Sequence, residues 1–148
     1  MVKEKIISRL RATGRANMEN VINYMENNGF FTARCHTHHC HTGGLAAHAW
    51  QTYCIAMGTA GDTDSTAISA LLHDFCKCGG MGHVHGHGKR SAEMLKALGL
   101  HLSSDEYLAI RFHMSLRSHR RHPLYSVANR CKLRGAVHSA DKRSAMLH

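Results

Sequence analysis

The chain has 148 residues and a formal net charge of +9, from 19 Lys and Arg against 10 Asp and Glu. This length corresponds to a single domain, and 43% hydrophobic residues exclude a wholly disordered chain. No apolar run approaches the roughly 18–20 residues that a membrane span needs, and we find no secretory signal. We therefore expect a cytoplasmic protein without a membrane partner.

Helical periodicity, with no alternating strand pattern, predicts an all-α fold. A first helix is predicted over residues 3–11, and a second begins at Met18 and ends before Gly29. Residues 34–44 are polar, lack an apolar period and are predicted to be irregular.

Two largely apolar helices are predicted next. The first covers residue 45 to about residue 57, where Gly58 and Gly61 stop it. The second has two candidate N-caps and ends in a pair of polar side chains: Asp62 or Asp64 at its start and His73-Asp74 at its end.

The second half of the chain continues the helical pattern after a Gly/His run at 79–88. A short helix is predicted over residues 91–98, and the capping box Ser103-x-x-Glu106 opens another that reaches His113. Two features follow: a basic loop at 117–122 and a last helix from about residue 126 to the C-terminus.

The six cysteines are expected to be reduced thiols, because a chain of this length can bury a core without disulfides. Cys54 and Cys131 fit buried helix positions as small hydrophobes. An alternative is a separate structural zinc site formed by Cys76 and Cys78 with Cys35 or Cys40 and neighbouring histidines.

Several buried-helix positions carry side chains that can bind metals. Buried polar groups are unfavourable unless something binds them, and imidazole with carboxylate suits Mn, Fe, Co, Ni or Zn. The alternative is a set of ordinary buried histidines and a His–Asp hydrogen bond. The candidates are His48, His73, Asp74, His87, His113 and Asp141.

These residues lie in five ordered motifs: GGLAAH (43–48), LLHDFCK (71–77), GHGKRS (86–91), AIRFHM (109–114) and VHSAD (137–141). Their order resembles the H…HD…H…H…D pattern of the HD-domain superfamily of metal-dependent phosphohydrolases. The similarity covers about residues 18–145 and is closest to small bacterial and phage-type HD proteins. It implies one HD-domain helical bundle over residues 1–148, with the helix at 3–11 packed on it or partly free.

The resemblance also implies site roles. His48, His73, Asp74 and Asp141 would hold a first divalent transition-metal ion, and His87 and His113 a second, with Asp74 bridging them. Lys77 matches the family lysine that faces the substrate phosphate, so Asp74 and Lys77 are the expected catalytic residues. Arginines near or after His113 are candidate substrate contacts: Arg111, Arg117, Arg120 and Arg121.

The remaining histidines receive weaker expectations. His83 or His85 could replace His87, and His138 either orients a ligand or lies on the surface. Four others are expected to line the entrance or to be solvated: His36, His38, His39 and His41.

The leading functional hypothesis is a phosphohydrolase that uses metal-activated water on a nucleotide or another small phosphate ester, with one or two ions. The net charge of +9 and the basic loop support an alternative. In it, the chain is a nucleic-acid-binding module with a metal site, or an exonuclease acting on nucleic-acid ends.

Overall fold

Helices form the regular structure of the chain, which the computed structural model describes over residues 1–35, 38–80 and 85–147. Within these ranges no strand is found, so the predicted all-α class is confirmed. None of the helices found there combines the length and apolarity needed to cross a membrane. The helices are α1 (Val2–Ala12), α2 (Met18–Asn27), α3 (Gly44–Ala60), α4 (Asp64–Leu72), α5 (His87–Ala97), α6 (Ser104–Arg111), α7 (Tyr125–Arg130) and α8 (Lys132–Met146), with 3₁₀ helices at Phe75–Gly80 and Leu116–His119.

The core lies where α3, α4, α6 and α8 pack against one another. Tyr53 of α3 and Leu71 of α4 are almost completely buried, because these two helices carry apolar side chains on most faces. α1 contacts α3 and α4 through Ile6 and Leu10, which are fully buried. The N-terminal helix is therefore packed on the bundle.

The end of α3 differs from the prediction. Gly58 lies inside the helix, which continues to Ala60. The helix stops at Gly61, whose φ of 81° favours glycine. A single glycine lowers helix propensity by only about 1 kcal/mol, so the surrounding packing can override it.

The cap of α4 also differs, and the prediction of Asp62 or Asp64 is wrong. Thr63 is the N-cap, and its side chain accepts a hydrogen bond from the Thr66 backbone N–H at 3.1 Å. The two aspartates instead pair with Arg9 of α1, at 3.2 and 3.3 Å.

The predicted last helix is in fact two helices, α7 and α8, separated at Cys131, whose backbone is extended. The break lets each part pack on a different cluster, since α8 joins the main core through Val137. α7 contributes to a smaller cluster made of Leu108, Phe112, Leu116 and Ala128.

Two cysteines are less buried than predicted. Cys131 is half-buried and Cys54 is exposed, so their prediction as buried residues is wrong.

The predicted capping box at α6 is confirmed. The Ser103 hydroxyl accepts a hydrogen bond from the Glu106 backbone N–H at 3.2 Å, and the Glu106 carboxylate accepts one from the Ser103 backbone N–H at 2.8 Å. The same carboxylate is buried and also accepts hydrogen bonds from Arg15 and Ser65, at 2.9 and 2.7 Å. It therefore joins α6 to both α4 and the segment between α1 and α2.

Candidate metal centre

The six predicted metal-ligand residues lie together in the middle of the bundle. His48, His73 and His113 are completely buried, and Asp74 and His87 are nearly so. They come from separate elements: His48 from α3, His73 and Asp74 directly after α4, His87 at the start of α5, His113 after α6 and Asp141 from α8.

Two groups of potential ligand atoms share Asp74. In each group, one ligand atom of every residue lies within 4.8 Å of those of the others. The first group is His48, His73, Asp74 and Asp141, and the second group is Asp74, His87 and His113. The geometry thus brings together the residues that the resemblance implied for two ions, and their role as ligands remains a prediction.

Hydrogen bonds fix which nitrogen of each imidazole faces the centre. The Nδ1–H of His73 donates to the Ala70 carbonyl, and that of His113 donates to the Ile110 carbonyl, both at 2.7 Å. A carbonyl can only accept, so in a neutral ring the Nε2 atom keeps its lone pair. Both Nε2 lone pairs are therefore available to a cation.

His48 is held in the same way through a side chain. Its Nδ1–H donates to the Ser144 hydroxyl at 3.0 Å, and this hydroxyl donates onward to the Gln51 side-chain oxygen at 2.7 Å. The Nε2 atom of His48 lies 2.8 Å from an Asp141 oxygen and 3.3 Å from Nε2 of His73. Two neutral Nε2 lone pairs at such a distance repel unless a proton or a cation lies between them.

Asp74 directs its two oxygens to different groups. Oδ1 lies 3.3 Å from Nε2 of both His87 and His113, which are themselves 2.9 Å apart. This oxygen is buried and has no hydrogen-bond partner among the described residues. Oδ2 lies 3.4 Å from Nε2 of His73. A buried carboxylate oxygen that lacks a hydrogen bond and lies close to two imidazole nitrogens fits a divalent first-row cation.

The charges of the site require a positive partner. Burial alone would raise the pKa of Asp74 and Asp141, but the neighbouring imidazoles outweigh it and hold both pKa values below the usual range. Burial would lower the pKa of His73, but Asp74 and Asp141 raise it to about 10. The two carboxylates thus stay ionised, and the charge of Lys77 together with protons on the imidazoles or a bound cation balances them.

A cavity of about 890 Å³ opens onto these carboxylates. Lys77, from the 3₁₀ helix that follows Asp74, lies on its wall and donates to Asp74 Oδ2 at 3.0 Å. Burial would lower the pKa of Lys77, but Asp74 outweighs it and raises that pKa, so the side chain is charged. Arg117 and Lys142 line the same cavity, which gives it a cationic wall.

Arg111 lies outside the lining of this cavity. Its guanidinium donates to the Tyr107 hydroxyl, lies 3.1 Å from Nε2 of His122 and rests over the ring of Phe112. The structure therefore places Arg117, but not Arg111, on the wall of the cavity that opens onto the carboxylates.

α8 carries more of the site than the sequence reasoning found. His138 donates from Nδ1 to the His113 carbonyl at 2.7 Å, and Arg134 donates to the Phe112 carbonyl at 3.0 Å. With Asp141 and Ser144, these residues recur every three or four positions and so share one helix face. That spacing is the signal that would have identified Arg134 and Ser144.

Other predicted participants lie elsewhere. His85 is exposed, whereas His87 belongs to the second group. His36 and His83 lie outside the described residues. His38 lines the cavity, as expected for an entrance residue, but His39 is 3% exposed and is not solvated.

The cysteines give no support to a separate zinc site. Among the described residues, the groups that could hold a metal contain only His and Asp. Burial raises the pKa of Cys35 to about 11 and that of Cys78 to about 12, so both thiols stay protonated. Cys76 donates to the His87 carbonyl at 3.3 Å.

The family follows from comparison with known proteins. A family model described as the HD domain matches residues 45–146, which is more than half of the chain, and the chain therefore belongs to the HD-domain family. HD-domain proteins are in general metal-dependent hydrolases. Searches of the curated proteins and of the solved structures give no match to this chain.

Proposed function

We propose that this protein is a metal-dependent phosphohydrolase that acts on a nucleotide or another small phosphate ester. The observation that carries the proposal is Asp74, whose two oxygens face two different sets of imidazole nitrogens. His48, His73, Asp74 and Asp141 would hold one divalent cation, and His87, His113 and Asp74 another.

Such cations lower the pKa of water and polarise phosphoryl oxygens, which is the chemistry that phosphoester hydrolysis needs. The protein's own contribution is to orient the side chains that would bind these cations. His48, His73 and His113 are locked with Nε2 towards the centre, and the position of Asp74 at the end of α4 lets it serve both groups.

The cationic wall of the cavity supports a phosphorylated substrate. Lys77 lies between Asp74 and the open cavity, where its ammonium can contact a phosphate oxygen. Arg117, also on the wall, offers the paired N–H geometry that suits phosphate. A volume of about 890 Å³ lies within the range of roughly 300–1,000 Å³ found for small-molecule sites.

The test combines elemental analysis of the purified protein with a panel of phosphate mono- and diesters assayed with Mn²⁺, Co²⁺, Ni²⁺ or Zn²⁺. We expect bound metal and hydrolysis of at least one ester, and Asp74→Asn should remove both. Asp105→Asn, an exposed carboxylate on α6, is the control and should retain both. Protein that takes up no metal and hydrolyses nothing would refute the proposal.

A nucleic-acid end is a second candidate substrate, favoured by the basic residues beside the cavity. Arg120 and Arg121 are exposed and follow Arg117 after two intervening residues. Oligonucleotides in the panel test this candidate, because binding through phosphates weakens steeply as salt increases. Oligonucleotide binding that does not change with salt would exclude it.

A further inference from the structure

A second, smaller cavity lies next to the cavity that opens onto the carboxylates. It has a volume of about 350 Å³. The residues that line both cavities are His87, Met114, Ser115 and Ser118. A bound molecule can therefore extend from the candidate metal centre into the second cavity.

The lining of the second cavity is rich in cationic and imidazole side chains. Arg111 at the end of α6 and Lys89 at the start of α5 contribute positive charges, and Glu93 partly balances that of Lys89 at 3.9 Å. The imidazoles come from His85, His119 and His122. Among the described residues that line this cavity, none is acidic. Its chemistry therefore favours an anion.

Arg111 and His122 face each other as hydrogen-bond donors. Nη2 of Arg111 lies 3.1 Å from Nε2 of His122, and the Leu124 backbone N–H donates to Nδ1 of the same ring at 3.0 Å. A neutral imidazole has one nitrogen that accepts and one that donates, whereas a guanidinium only donates. Because Nδ1 accepts from Leu124, Nε2 carries the proton and its N–H faces an N–H of Arg111.

A charged ring would not resolve this conflict, because both of its nitrogens donate. Burial and the neighbouring charge of Arg111 also lower the pKa of His122, so the ring is neutral at pH 7. Neither Nη2 of Arg111 nor Nε2 of His122 has another partner in the part of the chain that the structure describes. The two N–H groups thus converge on one point without a protein acceptor.

Packing holds both donors in place. The Arg111 guanidinium donates to the Tyr107 hydroxyl and lies 5.1 Å from the centre of the Phe112 ring. The ring of His122 meets the same phenyl ring edge-on, with centroids 5.4 Å apart. Donors that are already ordered lose little conformational freedom when a ligand binds, which favours affinity.

We propose that Arg111 and His122 bind a second phosphate group of the substrate, whose first phosphate lies at the candidate metal centre. An oxygen of the second phosphate accepts from both N–H groups at once and balances the charge of Arg111. The substrate class is therefore a small ester that carries two separate phosphates. This substrate class rests on the proposed function, whereas the phosphate subsite itself does not.

The first test uses inorganic phosphate as the probe and chelator-treated protein. Magnetic resonance of histidine-labelled protein follows the His122 ring, whose signals are identified by their absence in His122→Ala. Added phosphate should shift these signals, and Arg111→Gln should raise the phosphate concentration needed by about tenfold or more. Arg130→Gln, an exposed arginine of α7 that lines neither cavity, should leave that concentration unchanged.

His122 signals that do not respond to phosphate, or equal effects of Arg111→Gln and Arg130→Gln, would overturn the subsite. Arg111→Lys covers the case in which Arg111→Gln does not fold. It keeps the charge but loses the guanidinium geometry, so it should still weaken phosphate binding. Phosphate binding as tight as in the native chain would contradict the role of Arg111.

The second test concerns the substrate and uses the metal-loaded native chain. The ratio of kcat/KM for adenosine 3′,5′-bisphosphate to that for adenosine 5′-monophosphate should fall by about tenfold in Arg111→Gln and stay unchanged in Arg130→Gln. An equal ratio in the native chain and in Arg111→Gln would refute the second phosphate. A protein that hydrolyses no ester would refute the proposed function and this substrate class, while the His122 shift still decides the subsite.

Discussion

Ser144 shows how one side chain that is not itself a candidate ligand controls the candidate metal centre. Its hydroxyl accepts from Nδ1 of His48 and donates to Gln51, so it fixes the imidazole with Nε2 towards Asp141. Ligand orientation of this kind contributes about 10- to 100-fold to metal affinity in other proteins.

We therefore expect Ser144→Ala to lower the metal affinity of the first group by about tenfold or more, because His48 can then rotate or change tautomer. A competition titration with a chelating dye measures this. Ser139→Ala, an exposed serine on the same helix, should leave the affinity unchanged, and a similar loss there would refute the role of Ser144.

Glu106 gives a pH-dependent contribution to stability. Burial would raise its pKa, but the hydrogen bonds from Arg15, Ser103 and Ser65 outweigh it and lower that pKa. A lowered folded-state pKa means that the carboxylate stabilises the fold above its unfolded pKa of about 4.3 and loses this effect as the pH falls.

Glu106→Gln should lower the free energy of unfolding by about 2–4 kcal/mol at pH 7, since it leaves the Arg15 charge without its partner. Urea denaturation at pH 7 and pH 3 should show the difference from the native chain shrinking at the lower pH. The control is Glu93→Gln, an exposed residue of α5, which should change stability by less than about 0.5 kcal/mol at either pH.

At the scale of elements, the contact between α5 and α6 sets the second group. Gly88 lies against the end of α6, where a Cβ atom would be 2.3 Å from the Arg111 carbonyl oxygen. Only glycine permits this approach, which brings His87 next to His113. The second glycine of the GHGKRS motif thus acts through helix packing.

Gly88→Ala should push α5 away from α6, weaken binding of one of two ions and destabilise the fold by about 1–3 kcal/mol. The matched control is Gly135→Ala in α8, where a Cβ atom would meet nothing within 4 Å. This substitution should stabilise the helix by up to about 1 kcal/mol. Isothermal titration with Mn²⁺ and thermal unfolding measure both effects. Two equally tight ions in Gly88→Ala would contradict the packing role.

Local sequence signals predicted most of the helices and the capping box of Ser103 and Glu106, because periodicity and capping act within a few residues. They missed the break at Cys131, since it arises from two hydrophobic clusters that form only in the folded chain. They also missed the burial of His39, which depends on the distant Gln51 and on the space at Gly44.

At the scale of the whole molecule, the candidate ligands come from five separate parts of the bundle. The family pattern named these residues, and the fold brings them within reach of common cations. A ligand that binds only the folded state stabilises it, by about 2.7 kcal/mol at a concentration 100 times the dissociation constant.

Adding Mn²⁺ or Co²⁺ to chelator-treated protein should therefore raise Tm by about 5–10 °C, as followed by calorimetry. Asp74→Asn should show no such shift, because both groups lose their shared carboxylate. A metal-independent Tm in the native chain would argue that the imidazoles and carboxylates are paired only with one another.

The position of α8 has a consequence for how the protein is made. Asp141 and Ser144 lie in this final helix, while His48, which contacts both, is synthesised almost a hundred positions earlier. A nascent chain still lacking α8 exposes His48 and His73 without the carboxylate and hydroxyl that complete their surroundings. Under the proposed function, the first group would therefore acquire its metal only after α8 has been translated and released from the ribosomal tunnel.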